Sequence, residues 1–320
     1  MILLITAVSL VTNAQDASNI GTQRNVATTG RIPDTIAPQT GSNSALIPSM
    51  EGDDEFGEQV IIERASNWYP FSLQASVTGY RTTNAELANS GAVSDNYLRG
   101  LLSLDYTPLI KGNLFADIGF SEEMYRYRNL SDLDFDYQRA HAGLYYYVPD
   151  ADNAIASFFE NGFFFANYAW YRVADSLFGQ DVFTNNSVVL GFQKAIAVQK
   201  GHQFYYGLSS DLSFSSSSQA FQRNEYRIYA GYSVMWTEDI STYASYTASC
   251  FDYEQAAQND WNHVAEIGAT CVAARPTIFG NEGEIYLQGS VNFTLNDSNI
   301  GTQDYEYFSW GGGVGFRTSF

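Results

Sequence analysis

The chain has 320 residues and a formal net charge of −19, with 35 acidic and 16 basic side chains. Nucleic-acid binding needs a basic surface, so we expect no nucleic-acid partner for this acidic chain. Hydrophobic residues make up 45% of the sequence, but the mean hydropathy is only −0.21. No apolar stretch approaches the roughly 18 residues of a membrane-spanning helix. A membrane crossing by this chain would therefore use strands, in which every second residue faces a polar interior.

The first 68 residues differ in composition from the rest of the chain. An apolar run from Ile2 to Val11 precedes Thr12-Asn13-Ala14, and this order predicts a secretory signal peptide over residues 1–14. Residues 15–68 are rich in Ser, Thr, Asn, Gly and Pro and then turn acidic. Such a segment buries too little apolar surface to fold alone, so it is predicted to be mostly disordered. The alternative is that Phe56 to Arg64, which have some apolar content, form a short helix or strand that docks at the mouth of the following domain or partly plugs it.

One short sequence occurs twice. The hexapeptide Ser-Asn-Ile-Gly-Thr-Gln stands at 18–23 and again at 298–303. No fixed period links the copies, so they do not indicate a solenoid repeat. Coincidence is the default interpretation, and mimicry of a late loop by the first copy is the alternative.

From residue 69 to residue 320 the chain repeats one plan, in which a segment of 10 to 15 residues is followed by a break. An all-β fold made of antiparallel strands in up-and-down order is therefore expected. About twelve strands are predicted, at 70–82, 95–107, 113–127, 135–148, 162–174, 186–199, 203–215, 224–236, 240–253, 262–275, 284–295 and 305–320.

The predicted strands have one apolar and one polar face. In the first, Phe71, Leu73 and Val77 alternate with polar residues, and side chains on a strand point alternately to its two faces. Breaks after even-numbered strands are mostly short, whereas those after odd-numbered strands are longer and polar. This alternation of turn and loop favours a transmembrane β-barrel over a soluble sandwich.

The last predicted strand carries the most specific signal. Phe308, Trp310, Val314, Phe316 and Phe320 share one face, and the chain ends on the aromatic Phe320. This ending resembles the closing strand of bacterial outer-membrane β-barrels. The resemblance implies that Phe316 and Phe320 form a signal for the barrel assembly machinery. It also implies a wall surrounded by outer-membrane lipid and lipopolysaccharide, and a periplasmic location for residues 15–68. The oligomeric state is not predicted.

The polar faces of these strands predict a charged lumen. A porin-like passive channel for small solutes or ions is the leading functional hypothesis, narrow and weakly cation-preferring because acids outnumber bases on the predicted inner wall. The alternative is a non-conducting barrel that binds a partner through its outer loops, with the same charges serving as structural ion pairs. The lumen candidates are Arg99, Asp105, Asp117, Arg139, His141, Asp211, Glu225, Arg227, Glu266, Glu284 and Arg317.

Catalytic and cofactor motifs are not found in the sequence. None of the three histidines has the serine two residues away that a barrel phospholipase needs, and the proximity of His263 to Asp260 is weak support for a barrel protease. We therefore expect neither an enzyme nor a cofactor or metal site. Cys250 and Cys271 lie in consecutive predicted strands. A disulfide between them would need a hairpin that turns near Asp260-Trp261, and the sequence leaves this open.

Overall fold

The computed structural model describes residues 22–27, 70–149, 158–254, 257–278 and 280–320. The predicted signal peptide and most of residues 15–68 lie outside these ranges. Residues 22–27 form a short helix. The strands are Phe71–Thr82 (β1), Asp95–Tyr106 (β2), Leu109–Lys111 (β3), Leu114–Tyr127 (β4), Phe135–Tyr147 (β5), Gly162–Ala174 (β6), Asp181–Gln199 (β7), His202–Ser216 (β8), Arg223–Met235 (β9), Ile240–Tyr253 (β10), Asn259–Ala274 (β11), Thr277–Ile278 (β12), Asn281–Ser298 (β13) and Tyr305–Ser319 (β14).

The long strands form a closed barrel. Each long strand pairs antiparallel with the next long strand along the chain, so β11 pairs directly with β13. The last strand, β14, pairs with β1 and closes the barrel. Apart from the short β3 and β12, the described residues contain twelve strands, so the predicted twelve-stranded up-and-down barrel is confirmed. The closing seam ends where Phe71 and Phe320 exchange two backbone hydrogen bonds, of 3.0 and 2.9 Å. Their rings stack at 5.5 Å. The assembly role of Phe316 and Phe320 stays a prediction.

The barrel has two distinct ends. We call the end with Phe71 and Phe320 the terminal end, where strands are joined by connections such as 107–113, 200–201 and 236–239. The opposite end is the loop end. Its fully described connections are 83–94, 128–134, 175–180, 217–222 and 299–304, and three of them contain a 3-10 turn, at Ser131–Leu133, Gln219–Phe221 and Gly301–Gln303.

The outer wall is apolar because the side chains alternate. On β2, Leu98, Leu102 and Leu104 are exposed, whereas Arg99 and Asp105 on the opposite face are half-buried. The same alternation recurs on the other long strands and leaves an oily outer surface around a polar lumen. In the described ranges, no helix is long and apolar enough to span a membrane.

Lys194 is an exception on the outer wall of β7. Its ammonium group donates a 3.2 Å hydrogen bond to the Phe158 carbonyl. The register of β7 against β8 is interrupted at Asn186/Ser187 and Ala197/Gln199 and is regular at this lysine. Phe192, on the same face, is buried under Phe159 and Phe164. The chain around Phe158 therefore covers part of this wall.

Tyrosine rings cover glycines inside the barrel. A Cβ atom built on Gly207 would lie 2.4 Å from Tyr229, and one built on Gly231 would lie 2.2 Å from Tyr205. Filling of a glycine gap by an aromatic ring on the neighbouring strand stabilises strongly curved sheets. The same relation holds for Gly268 under Tyr243 and Gly315 under Tyr286. These rings narrow the lumen.

Candidate functional site

The loop end of the lumen is filled by residues 22–27. Thr22 donates a 3.1 Å hydrogen bond to the carbonyl of Glu86, and Gln23 donates one of 3.3 Å to the carbonyl of Asp134. Ala27 is fully buried. It packs into an aromatic cluster formed by the inner faces of β4 to β7, whose buried members include Tyr125, Tyr127, Phe135, Tyr137, Tyr171 and Phe183.

Arg24 places a buried charge in this region. The residue is only 1% exposed, and its guanidinium lies 3.8 Å from the Glu225 carboxylate. It also donates a 3.3 Å hydrogen bond to the Tyr171 hydroxyl and lies 5.3 Å from the centre of the Phe183 ring. Because a buried charge is costly unless it is paired, these contacts determine where the segment can sit.

Arg223 binds the next residue of the segment. It donates a 2.6 Å hydrogen bond to the side-chain oxygen of Asn25. The same guanidinium pairs with Glu225 at 2.8 Å and donates to the Tyr253 hydroxyl, also at 2.8 Å. Arg227 completes the arrangement with a second contact to Glu225. Glu225 thus accepts contacts from three arginines, two of which belong to the barrel itself.

The loop 83–94 contacts both copies of the repeated hexapeptide. Thr22, from the first copy, bonds to the carbonyl of Glu86. Gly301, from the second copy, accepts a hydrogen bond from Asn89. Thr22 and Gly301 therefore contact the same loop.

A polar cavity of about 360 Å³ occupies the lumen on the side of β1, β2, β13 and β14. It extends from Ser72 and Ser319 at the terminal end to Tyr80. The ring of Tyr80 stacks on Tyr97 at 5.2 Å, and Tyr97 packs against the aromatic cluster that holds Ala27. The cavity therefore ends where the filled part of the lumen begins.

The cavity is acidic. Its lining contains five carboxylates, Asp105, Glu123, Glu266, Glu282 and Glu284, but only two arginines, Arg99 and Arg317. Arg99 pairs with Glu123 at 2.7 Å, and Arg317 pairs with Glu284 at 2.5 Å. Glu266 accepts a 2.6 Å hydrogen bond from the Tyr243 hydroxyl. The charge that remains after pairing is negative.

A second buried polar group lies on β4 to β6. His141 approaches Asp117 at 3.0 Å and Asp105 at 3.9 Å, and Asn167 donates a 2.8 Å hydrogen bond to Asp117. A Cβ on Gly119 would clash with His141, so the glycine makes room for the imidazole. The group links β4, β5 and β6 inside the lumen.

Comparison with known proteins identifies the fold class. No family model and no curated protein matches the chain, but solved structures do. An outer-membrane channel from Pseudomonas putida F1 aligns with a TM-score of 0.50 at 12% identity, over 79% of this chain and 96% of that one. The fold is that of an outer-membrane β-barrel.

Two further structures are similar at lower scores. The β domain of the Bordetella autotransporter Brka has a TM-score of 0.43 at 12% identity and covers 78% of this chain and 100% of its own. The KdgM porin has a TM-score of 0.35 at 11% identity, and the alignment covers 77% of this chain and 99% of the porin chain. At these identities the likeness concerns the fold alone.

The eleven predicted lumen residues of the barrel are all buried or half-buried. Arg99, Asp105, Glu266, Glu284 and Arg317 line the cavity. Asp117 and His141 form the second polar group, and Glu225 and Arg227 belong to the arginine cluster. Arg139 and Asp211 are half-buried on strands β5 and β8.

Sequence reasoning missed several residues of these sites. Glu123 shares the face of Asp117 on β4, so the alternation could have identified it. Arg223 was placed just outside a predicted strand. Arg24 and Asn25 had no local signal, because they lie in a polar run without periodicity.

The disulfide that the sequence left open between Cys250 and Cys271 is not formed. Asp252 pairs with Asn259, so the β10–β11 hairpin has already turned before Asp260-Trp261. Cys250 therefore pairs with Trp261, and Cys271 pairs with Ile240. The two thiols are free and stand at opposite ends of the hairpin, roughly 33 Å apart at 3.3 Å per residue.

His263 and Asp260, the pair weighed for catalysis, do not come together. His263 bonds to the Tyr246 hydroxyl at 2.7 Å in an exposed position, whereas Asp260 is buried. In the part of the chain that the structure describes, no three His, Cys, Asp or Glu side chains are grouped to hold a metal ion.

Proposed function

We propose that the chain is a porin-like channel of the bacterial outer membrane for small solutes. The terminal end faces the periplasm, and the apolar wall contacts lipid and lipopolysaccharide. Phe316 and Phe320 then lie within reach of the assembly machinery. The observation that carries the proposal is the polar cavity of about 360 Å³ inside the barrel, since a lumen of purely structural use would be packed.

The charge of the cavity supports a weak preference for cations. Five carboxylates against two arginines leave a net negative lining, and a lumen of one sign raises the local concentration of counter-ions. The ion pairs Arg99–Glu123 and Arg317–Glu284 reduce this field. The preference is therefore weak. Glu266 contributes most to it, because Glu282 lies 3.3 Å from the guanidinium of Arg275 and Asp105 lies 3.9 Å from His141.

The closed loop end limits conduction in the described conformation. Residues 22–27 and the aromatic cluster fill the lumen beyond Tyr80. A solute can pass only when residues 22–27 leave. Rare, small openings are therefore expected from the full chain, and more frequent ones from a variant in which a Gly-Ser hexapeptide replaces residues 22–27.

Planar-bilayer recording tests the channel. The full chain and the variant with residues 22–27 replaced are purified as folded barrels and added to the bilayer under a KCl gradient. The control carries the same hexapeptide in place of residues 40–45. Unitary currents that increase only when residues 22–27 are replaced support the proposal. Silence from all three proteins, with folded mobility on gels, contradicts it.

A non-conducting surface barrel is the second candidate. The filled loop end favours it, as does Phe178, which is 94% exposed on the loop 175–180. This role predicts loops open to protease on intact cells and no current from any variant. It involves no catalytic step and no cofactor.

A further inference from the structure

We propose that the loop end of the lumen is a peptide-binding site whose resident ligand is the chain's own residues 22–27. The site recognises a short segment with an arginine followed by an asparagine. It rests on the proposed function only for one consequence, which is that release of the segment opens the lumen.

The site contacts the segment through fixed groups on widely separated elements. Glu86 and Asp134 offer backbone carbonyls from two loops. Glu225, Tyr171 and Arg223 offer side chains from the inner faces of β6 and β9. Two strands and two loops therefore converge on six residues, as in a pocket around a bound peptide.

The Arg24 pocket has the chemistry of a guanidinium site. A carboxylate, a hydroxyl and a ring face surround the planar cation, at 3.8, 3.3 and 5.3 Å. A guanidinium stacks on rings and donates in several directions at once, whereas a lysine ammonium cannot reproduce this arrangement. We therefore expect the site to distinguish arginine from lysine.

The neighbouring positions add further selectivity. Asn25 presents an oxygen to Arg223, which a carboxylate or amide can do and an apolar side chain cannot. Ala27 is fully buried among aromatic rings, so a larger residue there would overpack the cluster.

The segment can leave the lumen without leaving the Glu225 carboxylate unpaired. Glu225 retains Arg223 and Arg227 when Arg24 departs. A six-residue helix is too short to be stable alone, so the pocket maintains its conformation. Residues 28–69 connect it to β1, and their 42 residues span at most about 140 Å when extended. The segment therefore stays tethered when it is released.

Cross-linking tests whether the segment occupies the site. In a Cys250→Ser/Cys271→Ser background, Thr22→Cys is combined with Glu86→Cys, and folded protein is treated with a short bis-maleimide. The matched control combines Thr22→Cys with Asp239→Cys at the terminal end. A linked peptide found by mass spectrometry only in the Glu86→Cys protein supports the proposal. Linkage in the control alone, or in neither folded protein, overturns it.

Peptide binding in trans tests the recognition itself. The barrel with residues 22–27 replaced by Gly-Ser receives a labelled synthetic peptide spanning residues 18–30, and binding is followed by fluorescence anisotropy. We expect saturable binding that weakens at least about tenfold for the Arg24→Ala and Arg24→Lys peptides. Equal binding of all three peptides, or none by a correctly folded barrel, overturns the proposal.

Neither measurement requires ion flow. If the peptide binds while every barrel stays silent in bilayers, the peptide site stands and the channel function fails. If currents appear but cross-linking and peptide binding both fail, the channel stands and the peptide site is rejected.

Discussion

Arg223 donates a hydrogen bond of 2.6 Å to Asn25, a residue 198 positions earlier in the chain. The same side chain pairs with Glu225, bonds to Tyr253 and lies with its guanidinium 3.8 Å from the centre of the Phe251 ring. One barrel arginine therefore holds the segment in the lumen and also joins neighbouring strands. This double role makes it the residue whose removal should have the widest effect.

Arg223→Ala is expected to destabilise the barrel by about 1–3 kcal/mol, because the Tyr253 hydroxyl and the Asn25 oxygen lose their donor while Glu225 keeps Arg24 and Arg227. The check is the urea midpoint of detergent-folded protein, followed by tryptophan fluorescence. Arg128→Ala serves as the control: this arginine is exposed in the loop 128–134, and its removal should leave the midpoint nearly unchanged. Equal shifts in the two variants would contradict the buried role of Arg223.

Glu266→Gln is expected to reduce the cation preference of the channel. The amide keeps an oxygen for the Tyr243 hydroxyl, which lies 2.6 Å from the carboxylate, so only the charge is lost. One charge about 8 Å from a passing ion in water is worth about 0.5 kcal/mol, or about a twofold change in the cation-to-anion permeability ratio. Reversal potentials in a KCl gradient measure it. The exposed Asp252→Asn should not alter the ratio, and a shift of similar size there would rule out a lumen effect.

Gly207→Ala is expected to cost about 1–3 kcal/mol of stability through overpacking. Its new Cβ would lie 2.4 Å from Tyr229, whose hydroxyl bonds to Gln193 at 3.0 Å. Gly289→Ala is the matched control, because the nearest atom there is 3.5 Å away. Unfolding midpoints of the two variants are compared. If the midpoints of both variants equal that of the unsubstituted protein, an added Cβ at Gly207 does not overpack the Tyr229 ring, and the prediction is wrong.

Both cysteines are expected to react as free thiols. Thiol titration of unfolded protein should give two per chain, and gel mobility should not depend on reductant. Copper-phenanthroline treatment of the folded monomer should form no internal link, since the thiols stand at opposite ends of one hairpin. An internal Cys250–Cys271 bond in folded protein would refute the register of β10 and β11.

The register between strands was less accessible from the sequence than the strands themselves. Each predicted segment corresponds to a long strand, with the largest difference at the start of β7, predicted at 186 and found at Asp181. The disulfide required a turn near Asp260-Trp261, and the hairpin turns about five residues earlier. A shift of that size barely changes the strand bounds, but it moves a cross-strand pair by ten positions.

The amino-acid sequence by itself determined the twelve strands, their two faces and the acidic interior, because alternation and turn chemistry act between residues close along the chain. Only the tertiary structure decided that Arg24 lies beside Glu225, that tyrosines fill glycine gaps, and that one half of the lumen is packed while the other is open. These contacts join residues far apart in the chain. They depend on barrel closure and on the space that closure leaves, and no local pattern encodes them.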